Sequence, residues 1–173
     1  LRKGIRSVFG DTAIVQRCWL HKLRNIEAYI PKTHHKTLLW RMKKMMAVNA
    51  LIDAQRELQS LRSWLQEISD DAACSLDEAG EELLTLHSLG ITGDLRKSLS
   101  STNIIESLFS VVRQRLVNVK NYNSKKSNQA LRWVAAAVLD HRKNKMRKLR
   151  GVNQRFKLID ALGMRLVSQK ISA

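Results

Sequence analysis

Two short stretches of this sequence hold side chains able to do chemistry at spacings that bring them together. In the first, Gln16-Arg17-Cys18-Trp19-Leu20-His21-Lys22-Leu23-Arg24-Asn25, Cys18 and His21 lie three residues apart. In a first helical turn, a thiol and an imidazole at that spacing can face one point, which is half of a tetrahedral zinc site. No second ligand pair stands at a matching spacing: the other cysteine is Cys74, and His34 and His35 are adjacent and would diverge on a helix. The other reading is a half-buried cysteine beside a histidine at a helix start. In the second stretch, Ser100-Ser101-Thr102-Asn103-Ile104-Ile105-Glu106-Ser107-Leu108-Phe109-Ser110, Glu106 follows Asn103 by three residues. That pair reads as a capping box, with Asn103 at the N-cap and Glu106 at N3. It reads equally as a carboxylate one turn into a helix, beside an apolar face, placed to bind a metal ion. The two readings are compatible.

The elements that must position these residues are mostly helical. One proline, seven glycines and five per cent aromatics, among many Leu, Ala, Lys, Arg and Gln, favour helices over strands. Residues 1–9 read as the end of a helix, and Gly10-Asp11 as a turn. Thr12 to Arg17 reads as a short strand through Ala13, Ile14 and Val15. Trp19 to Tyr29 reads as a helix stopped by Pro31. A helix opening at Thr33 or His34 carries Leu38, Met42, Met45 and Met46 on one face. The next carries Leu51, Ala54, Leu58, Leu61, Leu65 and Ile68 at spacings of three and four, a narrow packing seam. Ser75 and Glu78 suggest a capping box for a helix bearing Leu76, Ala79, Leu83 and Leu86, closed by Gly90 and Gly93. The two seams are expected to pack as an antiparallel pair. Leu95 to Thr102 reads as a polar connector. The helix from Asn103 to about Val117 is expected to bury Ile105, Leu108, Phe109, Val112 and Leu116. After a loop at 118–124, a long helix from Lys126 to about Lys148 ends at Gly151, and a basic helix from Gln154 to Ile171 follows.

Composition points to the partner. The net charge is +16, and a basic surface of that strength most often meets a nucleic acid. The charge is also segregated. Between Arg62 and Arg96 there is no Lys or Arg, while Glu67, Asp70, Asp71, Asp77, Glu78, Glu81, Glu82 and Asp94 all lie there. After Glu106 the only carboxylates are Asp140 and Asp160, in a long series of Lys and Arg. DNA is therefore expected along the C-terminal part, with backbone contacts from Arg113, Lys120, Lys125, Lys126, Arg132, Lys143, Arg147 and Arg150. Each of these taken singly is as readily a solvated surface residue; the aggregate carries the inference. No apolar run approaches membrane-spanning length, and two distant cysteines make no disulfide framework, which suits a cytoplasmic protein. The chain begins at Leu1, which reads as a fragment or a processed product.

Together these stretches resemble the Mutator-type transposases of bacterial insertion sequences. Residues Gln16 to Asn25 resemble a Q-R-C-W-x-H-x-x-R-N signature, and Thr102 to Ser110 a T-N-x-I-E-S-L-F-S signature. Ala130-Leu131-Arg132-Trp133-Val134-Ala135-Ala136-Ala137 resembles a third block near the family's C-terminus. Ile104 stands where the family often has Pro. The resemblance implies a mainly α chain that is the C-terminal part of an RNase H-like core with an Asp-Asp-Glu metal site. A helical insertion separates the second Asp from the Glu. It implies Glu106 as the third acidic ligand of Mg²⁺ or Mn²⁺, with Cys18, His21 and Asn103 as active-site support and no structural zinc. Both aspartates would precede Leu1, and Asp11 matches neither, so the chain alone is expected to be inactive. Residues 1–30 would be the end of the core, 31–94 the insertion, and 95–173 the Glu-bearing and basic C-terminal helices. The complete enzyme would be a homo-oligomer acting on transposon ends and target DNA. The rival reading is a non-catalytic basic helical nucleic-acid-binding protein.

Overall fold

A computed structural model of the chain describes residues 2–10, 13–119, 128–144 and 149–171. The helices are α1 (Arg2–Phe9), α2 (Trp19–Glu27), α3 (His35–Ala47), α4 (Leu51–Gln66), α5 (Asp70–Ala79), α6 (Thr85–Ser88), α7 (Gly93–Leu99), α8 (Asn103–Arg115), α9 (Gln129–Asn144) and α10 (Arg155–Ile171). Short 3₁₀ turns occupy Lys32–His34, Gly80–Leu83 and Val152–Gln154. The chain is mainly α, and no strand occurs among the described residues. It divides into two compact units, residues 1–101 with 150–173, and residues 102–149.

The first unit is organised around a four-helix bundle. α2 packs on α3 and α5, α3 on α4, and α4 on α5, which closes the ring. One apolar cluster fills it: Leu23 and Ile26 from α2, Leu38, Met42 and Met45 from α3, Ala54, Leu61 and Leu65 from α4, and Ala72, Ala73, Leu76 and Ala79 from α5, with Ile30, Leu83 and Leu84. The expected seam is present. Leu61, Leu65, Leu76 and Leu83 are buried in it, and Leu51 and Leu58 are partly buried against it. Leu86 is not part of it; it joins Ile91 and Leu95 in a second, smaller cluster. Three of the four residues that α5 buries are alanines, Ala72, Ala73 and Ala79. Their small side chains suit a helix that packs on both α2 and α4.

Three local expectations are corrected. The helix starting at Ser75 in fact starts at Asp70, with Ser69 as its cap: the Ser69 hydroxyl accepts from the Ala72 N–H at 3.3 Å. Ser69 is extended, and Asp70 and Asp71 place carboxylates in the first turn, where the helix dipole favours them. Ser75 lies in mid-helix, so there is no capping box with Glu78. The helix stops at Gly80, whose φ of +48° is left-handed backbone that glycine adopts without strain. Residues 95–102 are not a connector throughout, since α7 runs Gly93–Leu99 and buries Leu95 and Arg96.

The third correction is the strand. Residues 13–18 form no regular element, because a strand needs a partner and the described residues supply none. The segment is fixed instead by side chains. The Gln16 amide donates to the Leu83 carbonyl at 2.9 Å, and its oxygen accepts from the Leu86 N–H at 3.0 Å. The Thr85 hydroxyl donates to the Val15 carbonyl at 2.7 Å, and the Arg17 N–H donates to the Glu82 carbonyl at 2.9 Å.

In the second unit α8 packs on α9, with Val112 and Ala137 buried. Leu108 and Leu116 are half-buried, whereas Ile105 and Phe109 are exposed, against expectation. The contact with α9 covers the Val112 side of α8 and leaves the Ile105–Phe109 edge open. The Arg115 guanidinium and the Asp140 carboxylate form an ion pair that ties the two helices together.

Candidate active-site and DNA-contact residues

Glu106 is exposed in the first turns of α8. The residue flanking the helix is Thr102, at φ −88° and ψ 6°, and Asn103 is the first helical residue, itself exposed. The expected Asn103–Glu106 capping box does not form. Thr102 takes the N-cap place without a side-chain cap bond, which puts Glu106 at N4, and the Glu106 N–H donates to the Thr102 carbonyl at 2.9 Å as the first regular helical bond. The Thr102 hydroxyl donates to a Glu106 carboxylate oxygen at 2.5 Å. This contact fixes the carboxylate's direction and was missed from the sequence. Its signal was present, because Thr102 and Glu106 are four apart and share a helix edge. Chemically, the arrangement is an oriented carboxylate at a helix start, able to act as a hard oxygen donor.

The first stretch is held differently. Cys18 caps α2 in extended backbone, without a side-chain bond to the helix N–H groups. The His21 Nδ1 lies 3.2 Å from the Cys18 sulfur, as the spacing led us to expect. Cys18 is half-buried and His21 exposed. Lys22, in the same turn, is buried at 3% exposure; its ammonium donates to the Glu78 carboxylate at 2.6 Å and to the Ser75 carbonyl at 2.7 Å. The Arg17 guanidinium also pairs with Glu78 and lies 3.5 Å from Glu82. The Lys22 hydrogen bond, with Arg17 beside it, holds the Glu78 carboxyl below the usual carboxylate range. The Trp19 N–H donates to the Ser100 carbonyl at 3.3 Å, so within the first unit the Cys18–His21 stretch touches the residue that opens the Glu106 stretch.

Of the expected DNA contacts, Arg113 on α8 and Arg132 and Lys143 on α9 are exposed in the second unit. Arg150 is exposed in the first unit, and its carbonyl accepts from the Ser98 hydroxyl at 3.1 Å. Lys120, Lys125, Lys126 and Arg147 lie outside the described residues. Among the described residues, no three His, Cys, Asp or Glu side chains converge as a metal site would need. One glutamate does not hold two divalent ions, so the donor set of such a site is not complete within the described part of this chain. No described helix is long and apolar enough to cross a membrane.

The model of the Mutator family of transposases matches residues 1–147. The transposase of insertion element IS256 in transposon Tn4001 of Staphylococcus aureus is 30% identical over 144 residues, covering 81% of this chain and 35% of that protein. The IS6120 transposase of Mycolicibacterium smegmatis is 28% identical over 131 residues, 76% of this chain and 40% of that protein. The ISRM5 transposase of Rhizobium meliloti is 28% identical over 156 residues, 87% of this chain and 37% of that protein. No solved structure matches. The chain thus spans at most two fifths of the length of these relatives. With the family's pattern running through both the Cys18–His21 and the Glu106 stretches, the chain belongs to the Mutator family of transposases.

Proposed function

We propose that this chain is the glutamate-bearing part of a DNA transposase that cleaves DNA at transposon ends and joins the freed 3′-hydroxyl to target DNA. Glu106 is its third acidic metal ligand. The observation that carries the reading is the family match across the Glu106 stretch, supported by the carboxylate oriented by Thr102. The remaining carboxylates would come from the part of the relatives that this chain does not span, as an RNase H-like core interrupted by a helical insertion at 31–94. Divalent ions, Mg²⁺ or Mn²⁺, when bound to such a core activate the attacking oxygen and stabilise the leaving one. In this chain, Thr102 holds the Glu106 carboxylate in direction, and Cys18, His21 and Asn103 support the site. Arg113, Arg132, Lys143 and Arg150 neutralise DNA phosphates. The complete enzyme works as a homo-oligomer on transposon ends and target.

Glu106→Gln in the complete enzyme tests this. Glutamine still accepts from the Thr102 hydroxyl but lacks the charge a metal ion requires. Loss of a group that only supports a metal ligand already lowers activity about 10–100-fold, so loss of the ligand should exceed about 100-fold. The variant should fold and bind transposon ends, and fail to cut or join them. Cleavage at near the wild-type rate would reduce Glu106 to a helix-start residue and move the third acidic ligand to another carboxylate.

A further inference from the structure

One face of α3 is turned away from the core of the bundle and carries an exposed indole among lysines. Leu38, Met42 and Met45 point into the core. On the opposite side Lys36, Trp40, Lys43 and Lys44 are exposed, at positions i, i+4, i+7 and i+8, which is a single stripe. Lys32 continues it toward the preceding turn. Trp40 is 59% exposed, an unusual place for the largest apolar side chain. Trp64 shows the contrast: it is half-buried, with the Arg41 guanidinium 5.0 Å from its ring centroid and His34 edge-on at 6.0 Å. Over the Trp40 ring lies the Lys44 ammonium, 5.7 Å from its centroid. Lys44 also pairs with Glu57 at 2.7 Å, while Lys32, Lys36 and Lys43 form no ion pair with any described residue.

An exposed indole flanked by cations combines a stacking surface with charge for a polyanion. Duplex DNA offers the charge but keeps its base faces stacked inside. An unpaired strand offers both, a free π-face for the ring and phosphates on either side. Lys36 and Lys43 are about 10 Å apart along the helix axis, bracketing Trp40. We propose that the outer face of α3 binds unpaired nucleotides of DNA, with Trp40 stacked on a base and Lys36 and Lys43 meeting the adjoining phosphates. The choice of DNA rests on the function proposed above; the stacking site itself does not.

The test is titration of the 173-residue chain with a fluorescent oligothymidylate and with a duplex hairpin of equal phosphate count. Trp40→Ala should weaken single-strand binding about tenfold and leave duplex binding within about twofold, with Trp40→Phe retaining most of the affinity. Lys36→Ala with Lys43→Ala should lower the salt slope for the single strand by about 1. Single-strand binding unchanged in Trp40→Ala overturns the proposal, as does equal loss on both DNAs. So does an altered oligomeric state with DNA binding unchanged, which would make the stripe a protein interface. Any of these leaves the Glu106 reading standing, whereas cleavage by the Glu106→Gln enzyme sinks that reading and leaves the α3 site untouched.

Discussion

His87 sits at 3% exposure in the first unit beside Arg96, which is also buried. Neither ring nitrogen has a well-aligned partner among the described residues. Burial, with the Arg96 charge second, pushes its pKa down to about 4, and the Val48 backbone offsets this only in part. The imidazole is therefore neutral in the fold, while in the unfolded chain it takes up a proton near its ordinary 6.5. Its contribution is fully present above about pH 6.5 and falls away as pH drops toward 4, by about 3 kcal/mol across that window. Denaturant melts at pH 7 and pH 4.5 should show the loss, and His87→Gln should show less of it. Equal pH dependence in both proteins would assign the loss elsewhere. At this scale the sequence was legible where one local rule acts: Cys18 and His21 meet because residues three apart on a helix start must. It was illegible where two rules tie. Thr102 and Asn103 are both good helix-start residues, and only the backbone angles of Thr102 decide between them.

The helices of the bundle were legible because their apolar spacing is a local property that tertiary packing then uses. Leu61 and Leu65 on α4 are 1% and 0% exposed, as the three-and-four spacing requires. Leu61→Ala should cost about 2–5 kcal/mol, whereas Ile52→Ala, on the open side of the same helix at 64% exposure, should cost under about 0.5 kcal/mol. Similar unfolding midpoints for the two variants would mean that α4 presents another face. The segment at 13–18 misled for a physical reason. Ala13, Ile14 and Val15 have strand-forming chemistry, but pairing is a non-local condition, and here Gln16 and Thr85 supply the hydrogen bonds that a neighbouring strand would have. Likewise α7 hides in polar sequence because Leu95 and Arg96 bury alongside each other. The Arg96 guanidinium donates to the Ala47 carbonyl at 3.3 Å and to the Asn49 side chain at 3.1 Å, which anchors the end of α3.

At the scale of the whole chain, the charge separation seen in the sequence is met differently in its two halves. Asp77, Glu78 and Glu82 of α5 and the following turn are engaged by Arg62, Lys22 and Arg17, so the acidic stretch is partly neutralised within the first unit. The exposed cations of the later helices have few carboxylates to meet. Neutralising Lys143 and Arg150 together should lower the salt slope of duplex binding by up to about 2, read by titration at several ionic strengths; an unchanged slope would move the duplex elsewhere. Gly151 adds a consequence of another kind. A side-chain carbon there would lie 2.4 Å from the Leu95 nitrogen, and the Ser98 hydroxyl bonds the neighbouring Arg150 carbonyl. The chain therefore leaves the first unit after Ser101 and re-enters it at Arg150, beside the same short helix. In polymer terms, residues 102–149 are a tethered excursion with its two ends clamped. A flexible insertion that doubled the contour between such clamped ends would raise the closure free energy by only about 0.6 kcal/mol. The clamp at α7 thus lets the stretch that carries Glu106 accept added flexible chain without unfolding its base.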